Sequence, residues 1–379
     1  MLKNIHSEPR TPITQAELNA AMASHEKYVA AQGGLRAQFT LKLLDGLNLA
    51  NRNLSDADFS GASLVSATLL GSNLMRANFY CADLRGCNLR CANLARADLR
   101  GASFKGANLS NAMLDNADMR AATMMFVRPG GVSVLDRNKA TYDDNQAVGV
   151  DFSNCSMKNV SLGNAKLSGA NFSGAILHGA NFKGAQLPNV MLDGAILTGV
   201  SLKDLAVPQT ALKGCVTDAS QECISRANSL KAEIEAHERW IGGGGKVGKP
   251  TTLDGEDIRP LQGFFAGRPL SALSLRNAMA IGADFSGCQL QGARFDGADL
   301  RDANFTGADL RGASFAGANL HHARFDRADM TPLALANGTS LAPNLLSAQA
   351  APEQFFSAIM DGDASSLGLG AESSAIAQR

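Results

Sequence analysis

The sequence predicts an all-β repeat solenoid, a square-sided parallel β-helix built from five-residue repeats, and three observations predict it. A Leu, Phe or Met stands at every fifth position over residues 49–124, 152–202 and 285–330. A small residue, most often Ala, stands two positions before most of these repeat centres. Phenylalanine recurs twenty residues apart, as at Phe59 and Phe79.

A five-residue period fits neither the 3.6-residue period of an α-helix nor the two-residue period of a plain strand. Residues two apart in an extended chain face the same side, so each repeat buries its centre together with the small residue before it. Asp, Asn, Ser, Arg, Lys and Gly fill the other positions, which suits solvent. Glycines after the centres, as at Gly61 and Gly106, permit a turn at each corner.

The spacing of the phenylalanines predicts four repeats per coil. Phe285, Phe305 and Phe325 would then stack on one wall, with Phe295 and Phe315 on the opposite wall. Adjacent coils would lie about 4.8 Å apart, the usual distance between paired strands. The predicted interior is dry and filled by Leu, Phe and Ala, with little room for a ligand.

Runs such as residues 97–101 (Ala-Asp-Leu-Arg-Gly) and 308–312 (the same five residues) resemble the A-(D/N)-L-x-x motif of the pentapeptide-repeat family. The resemblance covers about half of the chain directly. It implies a right-handed quadrilateral β-helix, usually with end caps and often dimeric, so a homodimer is one alternative for this chain. Members of the family differ widely in function, so the fold alone assigns no activity.

The N-terminal part of the chain is predicted as an arm, a helix and a first solenoid. Residues 1–13 are expected to be a flexible N-terminal arm. Residues 14–205 are predicted to hold a capping helix and the first pentapeptide-repeat solenoid. Thr14 is a suitable N-cap residue, and Glu17 completes a capping box for this helix.

Residues 127–149 interrupt the repeats, beginning near Pro129-Gly130-Gly131. Repeat centres have numbers ending in 4 or 9 before the interruption and in 2 or 7 after it. We interpret the segment as a loop excursion from one continuous solenoid, because so few residues cannot build a core of their own.

The C-terminal part repeats this plan. Residues 206–250 are predicted as a linker and a second capping helix, and residues 251–346 as a second solenoid. Residues 347–379 are expected to hold a short helix at 352–360, serving as a cap or a dimer contact, and a disordered tail. The alternative is one long rod with the second helix packed alongside it.

The two predicted helices look like copies of one module. Residues 24–28 (Ser-His-Glu-Lys-Tyr) and 236–240 (Ala-His-Glu-Arg-Trp) are each followed by glycines and then by the repeats. The first coil of a solenoid exposes an unpaired strand edge that needs covering. We therefore expect each helix to cap the start of a solenoid.

Composition argues against several classes of function. The chain has 35 basic and 35 acidic residues, and no segment is basic enough to predict direct nucleic-acid binding. No apolar run is long enough to span a membrane, and no signal peptide is recognisable.

The seven cysteines favour a reducing cytoplasm. Cys81 and Cys91 are expected to face outward on opposite sides, whereas Cys87, Cys155 and Cys288 should face inward.

Residues 243–249 match the phosphate-loop pattern G-x-x-x-x-G-K, but Pro250 stands where a Ser or Thr would ligate Mg²⁺. A helix precedes the segment where the motif requires a strand, so we interpret it as a helix stop and linker.

His25 and His237 are expected to hydrogen-bond a helix or coil end, because metal-ligand spacing is absent around both. His321-His322 is expected to be a solvated pair.

The sequence thus offers no catalytic, cofactor-binding or metal-binding residues, and no cofactor is expected. A non-enzymatic interaction scaffold is the leading interpretation, with protein partners of unidentified kind. Outward arginines would form ladders on its walls, solvated or partner-binding: Arg85, Arg90, Arg100, Arg301 and Arg311.

The alternative function is a DNA-mimicking inhibitor or protector of a type II topoisomerase such as gyrase, a role that the resemblance implies for some family members. Such mimicry needs a strongly acidic wall, because the rod must compete for a phosphate-binding groove. An acidic stripe on one wall of the third repeat block would support it. The candidates for that stripe are Asp284, Asp299, Asp309 and Asp329.

Overall fold

The computed structural model describes residues 10–122 and 149–361, the backbone of two short strands between these ranges, and Leu369. The chain divides into two compact units, Met1–Asp218 (unit 1) and Ala219–Arg379 (unit 2). Each unit has its own hydrophobic cluster of Leu, Phe and Ala, and the two clusters share no residue.

Both units are parallel β-solenoids with four repeats per coil. The residue before each centre forms a parallel bridge with its counterpart one coil on, as in the series from Gln38 through Asp58 and Asn78 to Asp98. We call each such series a ladder and the face that carries it a wall. The backbone amide of each centre adds a hydrogen bond to the ladder. Leu54 N–H, for example, donates to the carbonyl oxygen of Asn73 in the next coil at 2.7 Å.

The aromatic rings stack as their spacing predicts. Ring centroids are 5.2 Å apart for Phe285 and Phe305, and 4.9 Å apart for Phe295 and Phe315. These distances match the strand spacing of about 4.8 Å, because one residue of each pair lies directly above the other in the next coil. Rings on opposite walls meet edge to face, as Phe295 and Phe305 do at 5.5 Å. The twenty-residue coil is therefore confirmed.

Each corner of a coil bends through one residue of left-handed backbone, two positions after the centre. Gly61 has φ 63° there, and Asn51 has φ 56°. Glycine and asparagine adopt this conformation at the lowest cost, which explains their frequency at this position.

The solenoid of unit 1 resumes in register after its insertion. Asn108 bridges to Asp151, where the regular spacing would place residue 128. Within the insertion, β3 (Met125–Val127) pairs antiparallel with β4 (Ser133–Leu135). The rest of the predicted 127–149 loop lies outside the described residues, apart from Gly149.

The start of unit 1 is more ordered than the sequence predicts. Strand β1 (Thr11–Pro12) pairs in parallel with β2 (Lys42–Leu43) on the edge of the first coil, and Arg10 Nε donates to the carbonyl oxygen of Gly61 at 2.9 Å. The expectation of a flexible arm is wrong for residues 10–13, because the backbone of the first coil offers unpaired groups that this strand satisfies.

Helix α1 (Gln15–Val29) begins with the predicted capping box between Thr14 and Glu17. Its buried residues Leu18 and Met22 join the core cluster of unit 1. The coils of unit 1 continue past residue 205, since Val216 still bridges to Ile196. A short 3₁₀ helix, Gln209–Leu212, lies in this final stretch.

Unit 2 begins with helix α2 (Gln221–Gly242), which buries Ala227, Leu230 and Ile234 in the core cluster of that unit. The 3₁₀ helix Arg259–Leu261 belongs to the first coil. Between Met330 and Leu345 the chain leaves the coil as an antiparallel hairpin, β5 (Leu333–Ala334) and β6 (Ser340–Leu341).

The coils of unit 2 extend past residue 346. Phe355 is fully buried and stacks on Phe325 with centroids 4.6 Å apart, and Ile359 bridges to Asp329. The predicted helix at 352–360 is instead a 3₁₀ turn, Pro352–Phe355, within a coil. The hairpin insertion shifts the register here, so the apolar residues were not recognised as repeat centres. The predicted tail beyond Asp361 lies outside the described residues, except Leu369.

Candidate functional site

A buried histidine joins α1 to the first coils of unit 1. His25 Nδ1 accepts a hydrogen bond from the backbone N–H of Ala37 at 3.0 Å, and His25 Nε2 lies 2.9 Å from the carbonyl oxygen of Ser55. A carbonyl oxygen only accepts, so Nε2 carries the proton and the ring is neutral. Burial is the largest influence on this imidazole and lowers the pKa of His25 below its ordinary value.

The same arrangement recurs in unit 2. His237 is buried, its Nδ1 accepts from Thr251 N–H at 3.2 Å, and its Nε2 lies 3.0 Å from the carbonyl oxygen of Ser271. Both histidines also lie beside a ring one turn later, Tyr28 or Trp240, with centroids 5.8 and 5.6 Å apart. We call these two arrangements the helix–coil junctions.

An ion pair accompanies each junction. Glu26 binds Arg52 at 2.6 Å, and Glu238 binds Arg268 at 2.8 Å. Both arginines stand two residues before a repeat centre, where nearly all other repeats have a small residue. Sequence reasoning missed them, although this departure from the repeat pattern was the signal that could have found them.

A glycine near the C-terminal end of each helix lets the following chain pass close to the helix backbone. A Cβ at Gly34 would lie 2.1 Å from the carbonyl oxygen of Ser24, and one at Gly248 would lie 2.2 Å from that of Ala236. Both glycines have left-handed backbone, with φ 87° and 80°. Any larger residue would push the returning chain away from the helix, so these glycines are part of the junctions.

The glycine-rich segment 243–249 has the wrong environment for a phosphate. It follows the C-terminal end of α2, where the helix dipole presents negative charge. Its amides are already used, because Gly245 N–H donates to Trp240 O at 2.8 Å and Lys249 N–H donates to Ala236 O at 3.2 Å. These hydrogen bonds support the interpretation as a helix stop.

Asp and Asn before the repeat centres hold the corners of the coils. Asp98 Oδ1 accepts from Arg100 N–H at 3.2 Å, and Asn304 Oδ1 accepts from Thr306 N–H at 3.1 Å. Each side chain thus satisfies the backbone of the turn two residues on, a role for which Asp and Asn have suitable length. The sequence interpretation assigned these positions only to solvent.

Most of the predicted arginine ladder is neutralised within its own repeat. Arg100 binds Asp98 at 2.6 Å and lies 3.8 Å from Asp118 in the next coil. Arg90 follows an asparagine instead, and the structure places it in no ion pair within the described residues. Because Asp and Arg alternate along the walls, little uncompensated charge is left for a charged ligand. The Asp–Arg pairs two residues apart are 83/85, 98/100, 118/120, 257/259, 299/301 and 309/311.

The four aspartates of the predicted acidic stripe do not share one wall. Asp309 bridges to Asp329, but Asp284 bridges to Asn304, and Asp299 lies on a third ladder. Two of the four also form bidentate pairs with arginines. The condition that would have supported DNA mimicry is therefore not met in unit 2.

The expectation of a solvated pair at His321-His322 is wrong. Both residues are partly buried at a corner of unit 2. Burial lowers the pKa of His321 to about 4, and the neighbouring His322 and Arg301 act in the same direction. A neutral His321 is the consequence at neutral pH.

The seven cysteines are all free. The three predicted to face inward, Cys87, Cys155 and Cys288, are buried. Cys81 is buried as well, with 7% of its surface exposed, so the expectation that it faces solvent is wrong. Gly101 lies directly above it and leaves room for its sulfur in the corner. Burial raises the pKa of Cys81 to about 11.

Hairpin β5–β6 and the adjoining coil present exposed leucines in unit 2. Leu333 and Leu341 pack over Gly312, where a Cβ would lie 2.9 Å from Leu333 Cβ. Leu335 is 40% exposed, and Leu346 on the adjoining coil is 61% exposed. The hairpin therefore packs against the wall at Gly312, which has no side chain, and it also exposes leucine side chains to solvent.

The described part of the chain brings together the helix–coil junctions and the Asp–Arg pairs. Within residues 10–122 and 149–361, no cluster of three or more His, Cys, Asp or Glu has the geometry to hold a metal ion. Of the helices described, none is long and apolar enough to cross a membrane.

A model of pentapeptide repeats matches the chain in eight copies, over residues 53–90, 92–125, 147–174, 165–204, 270–307 and 293–331. These ranges together cover just over half of the sequence. The chain belongs to the pentapeptide-repeat family. The resemblance predicted from the A-(D/N)-L-x-x runs is confirmed, and the members of this family fold as right-handed β-helices.

Solved structures of the same family are similar to the chain. HetL, a protein involved in heterocyst differentiation regulation from the cyanobacterium Nostoc, is 20% identical over 81% of each chain, with a TM-score of 0.32. QnrB1, a plasmid-mediated fluoroquinolone resistance protein, is 16% identical over 84% of this chain and 91% of its own, with a TM-score of 0.21. A pentapeptide-repeat protein of the Arabidopsis thaliana thylakoid lumen is 21% identical over 42% and 68%, with a TM-score of 0.22. No curated protein matches the chain. Such distant similarity transfers no function.

Proposed function

We propose that the protein is a non-enzymatic scaffold that binds a protein partner through its outer surface. The observation that carries this proposal is the hairpin β5–β6, which leaves the solenoid and exposes leucines. Apolar side chains that are exposed on a rigid support commonly form the centre of a protein–protein interface.

The interior supports the same proposal. Repeat centres such as Leu300 and Phe305 are fully buried, and the small residues between them leave no room for a substrate. Polar groups on the walls are engaged in corners and ion pairs. What remains for recognition is the shape of the walls and the segments that project from them.

We also propose that α1 and α2 are caps, each covering the start of one solenoid block. Two observations support this role. Each helix contributes apolar side chains to the core cluster of its own unit, and each is joined to the coil by a helix–coil junction.

DNA mimicry is the less favoured proposal. The separated aspartates and the Asp–Arg pairs argue against an acidic wall in unit 2. Direct nucleic-acid binding is disfavoured for a similar reason, because the Asp–Arg pairs leave little uncompensated positive charge on the described walls. The free cysteines support a reducing compartment, and we propose the cytoplasm.

The test begins with the full chain, which is crosslinked to proteins in cytosol from its source organism so that bound partners can be captured. A captured protein is then purified and titrated against three forms of the chain by calorimetry: wild type, Leu335→Ser/Leu346→Ser, and Met113→Ser/Met191→Ser. The last is a matched control, since its methionines are 41% and 47% exposed in unit 1.

We expect the leucine variant to weaken binding at least about tenfold, and the control to retain wild-type affinity. Equal affinity in all three forms would remove the hairpin from the interface. Failure of every captured protein to bind in purified form would overturn the scaffold proposal. Light scattering of the free chain tests the proposed homodimer separately.

A further inference from the structure

The buried imidazole of His25 joins α1 to the coil through both of its ring nitrogens. We propose that His25 makes the attachment of α1 acid-sensitive: the neutral imidazole bridges helix and coil, and protonation releases the helix.

The bridge requires one protonation state. The His25 imidazole accepts at Nδ1 from a backbone N–H and donates at Nε2 to a carbonyl oxygen. Protonation adds a hydrogen to Nδ1, which then faces the N–H of Ala37 across 3.0 Å. Two donors directed at each other repel, so the junction loses one hydrogen bond and leaves a buried amide without an acceptor.

The surroundings do not stabilise the charged ring. His25 is fully buried, so a positive charge would have to form away from water. In the described residues, neither ring nitrogen of His25 contacts a carboxylate. Both ring nitrogens bind backbone groups.

The charged neighbours of His25 are mostly paired with other groups. Glu26 binds Arg52, and Asp56 binds Arg76 at 2.6 Å. Arg36 donates to the carbonyl oxygen of Asp56 and opposes a positive charge on the ring.

The direction of the effect follows from proton linkage. Folding lowers the pKa of His25, so this imidazole binds a proton more readily when α1 is detached. Attachment of α1 is therefore complete above about pH 6.5, the ordinary pKa of histidine, and weakens as the pH falls below it. The equilibrium between attached and detached helix can change by up to about tenfold per pH unit in this range.

Amide hydrogen exchange of the full chain tests the proposal. Exchange is measured at pH 7.5 and 5.0, corrected for intrinsic rates, in the peptide covering 35–45, in the first coil of unit 1. The test variant is His25→Gln, because glutamine can accept and donate as the neutral imidazole does. His237→Gln is one control, and the exposed His178 supplies a second, His178→Gln.

In the wild type we expect protection of peptide 35–45 to fall about tenfold or more at pH 5.0, with mid-solenoid peptides unchanged. His25→Gln should remove this acid effect, whereas His237→Gln and His178→Gln should leave it in place. Equal protection of peptide 35–45 at both pH values, or an acid effect there that persists in His25→Gln, would overturn the proposal.

Discussion

The interior of each coil is specified residue by residue. A large centre and a small residue before it fill the cross-section, and identical rings stack from coil to coil at the strand spacing. Phe305 illustrates this, since it stacks on Phe285 and Phe325 and meets Phe295 and Phe315 edge to face. Such a side chain has no alternative packing, because every neighbour is fixed by the same repeat.

Phe305→Ala should therefore destabilise unit 2 by about 3–5 kcal/mol, the cost of a buried cavity of that size. Denaturant unfolding monitored by Trp240 fluorescence measures it. Thr306→Ala, which changes an outward residue of the same repeat, is the control and should cost less than about 1 kcal/mol. A similar loss in both variants would contradict the assigned orientation.

The buried thiols should be chemically silent in the native protein. Burial raises the pKa of Cys87 to about 12 and that of Cys288 to about 11, so almost no thiolate is present at pH 8. Titration with a thiol reagent should therefore leave both unmodified until the protein unfolds, whereupon all seven cysteines react. Rapid native modification of either residue, located by peptide mass mapping, would show that the coil opens there.

At the scale of elements, the two units cover the same coil edge by different means. In unit 1 the strand β1 pairs with β2. In unit 2 the extra N-terminal turns of α2 lie over the equivalent edge, where Cys223 Sγ is 3.6 Å from the carbonyl oxygen of Asp257 and Arg226 binds Glu256 at 2.6 Å. An open strand edge invites pairing with other chains, which explains why both units block it.

A double-mutant cycle on Glu26 and Arg52 should give a coupling energy of about 1 kcal/mol. The pair is bidentate and partly shielded, and it fastens a helix to a coil. The matched cycle on Asp56 and Arg76, whose side chains are 39% and 47% exposed, should give a smaller value. Urea unfolding of the four forms in each cycle measures both. Equal coupling in the two cycles would show that the junction pair has no special role.

At the scale of the whole molecule, each unit has its own hydrophobic cluster. A core substitution should therefore affect mainly the unit that contains it. Leu64→Ala in unit 1 should leave the Trp240 unfolding transition unchanged, whereas Phe305→Ala should lower its midpoint. Circular dichroism should detect both losses. A shift of the Trp240 transition by Leu64→Ala would show that the units unfold together.

The repeat pattern was sufficient to predict the family, the coil and the orientation of its large side chains, because a five-residue period has one structural solution. It also predicted both helices and the capping box at Thr14. It did not reveal that Phe355 continues the coil, since the hairpin insertion breaks the register. Cys81 and His321 were misjudged for a related reason: solvent access at a corner depends on the neighbouring coil, which a linear pattern does not describe.

The sequence by itself determined the solenoid and its dry interior, because burial of one large and one small side chain per repeat is a local requirement repeated along the chain. Only the tertiary structure decided what the surface offers. It joined Glu26 to Arg52, brought His25 between two backbone groups, and distributed the aspartates of unit 2 over three walls. These outcomes depend on which coil lies next to which, and therefore on contacts between residues far apart in the chain.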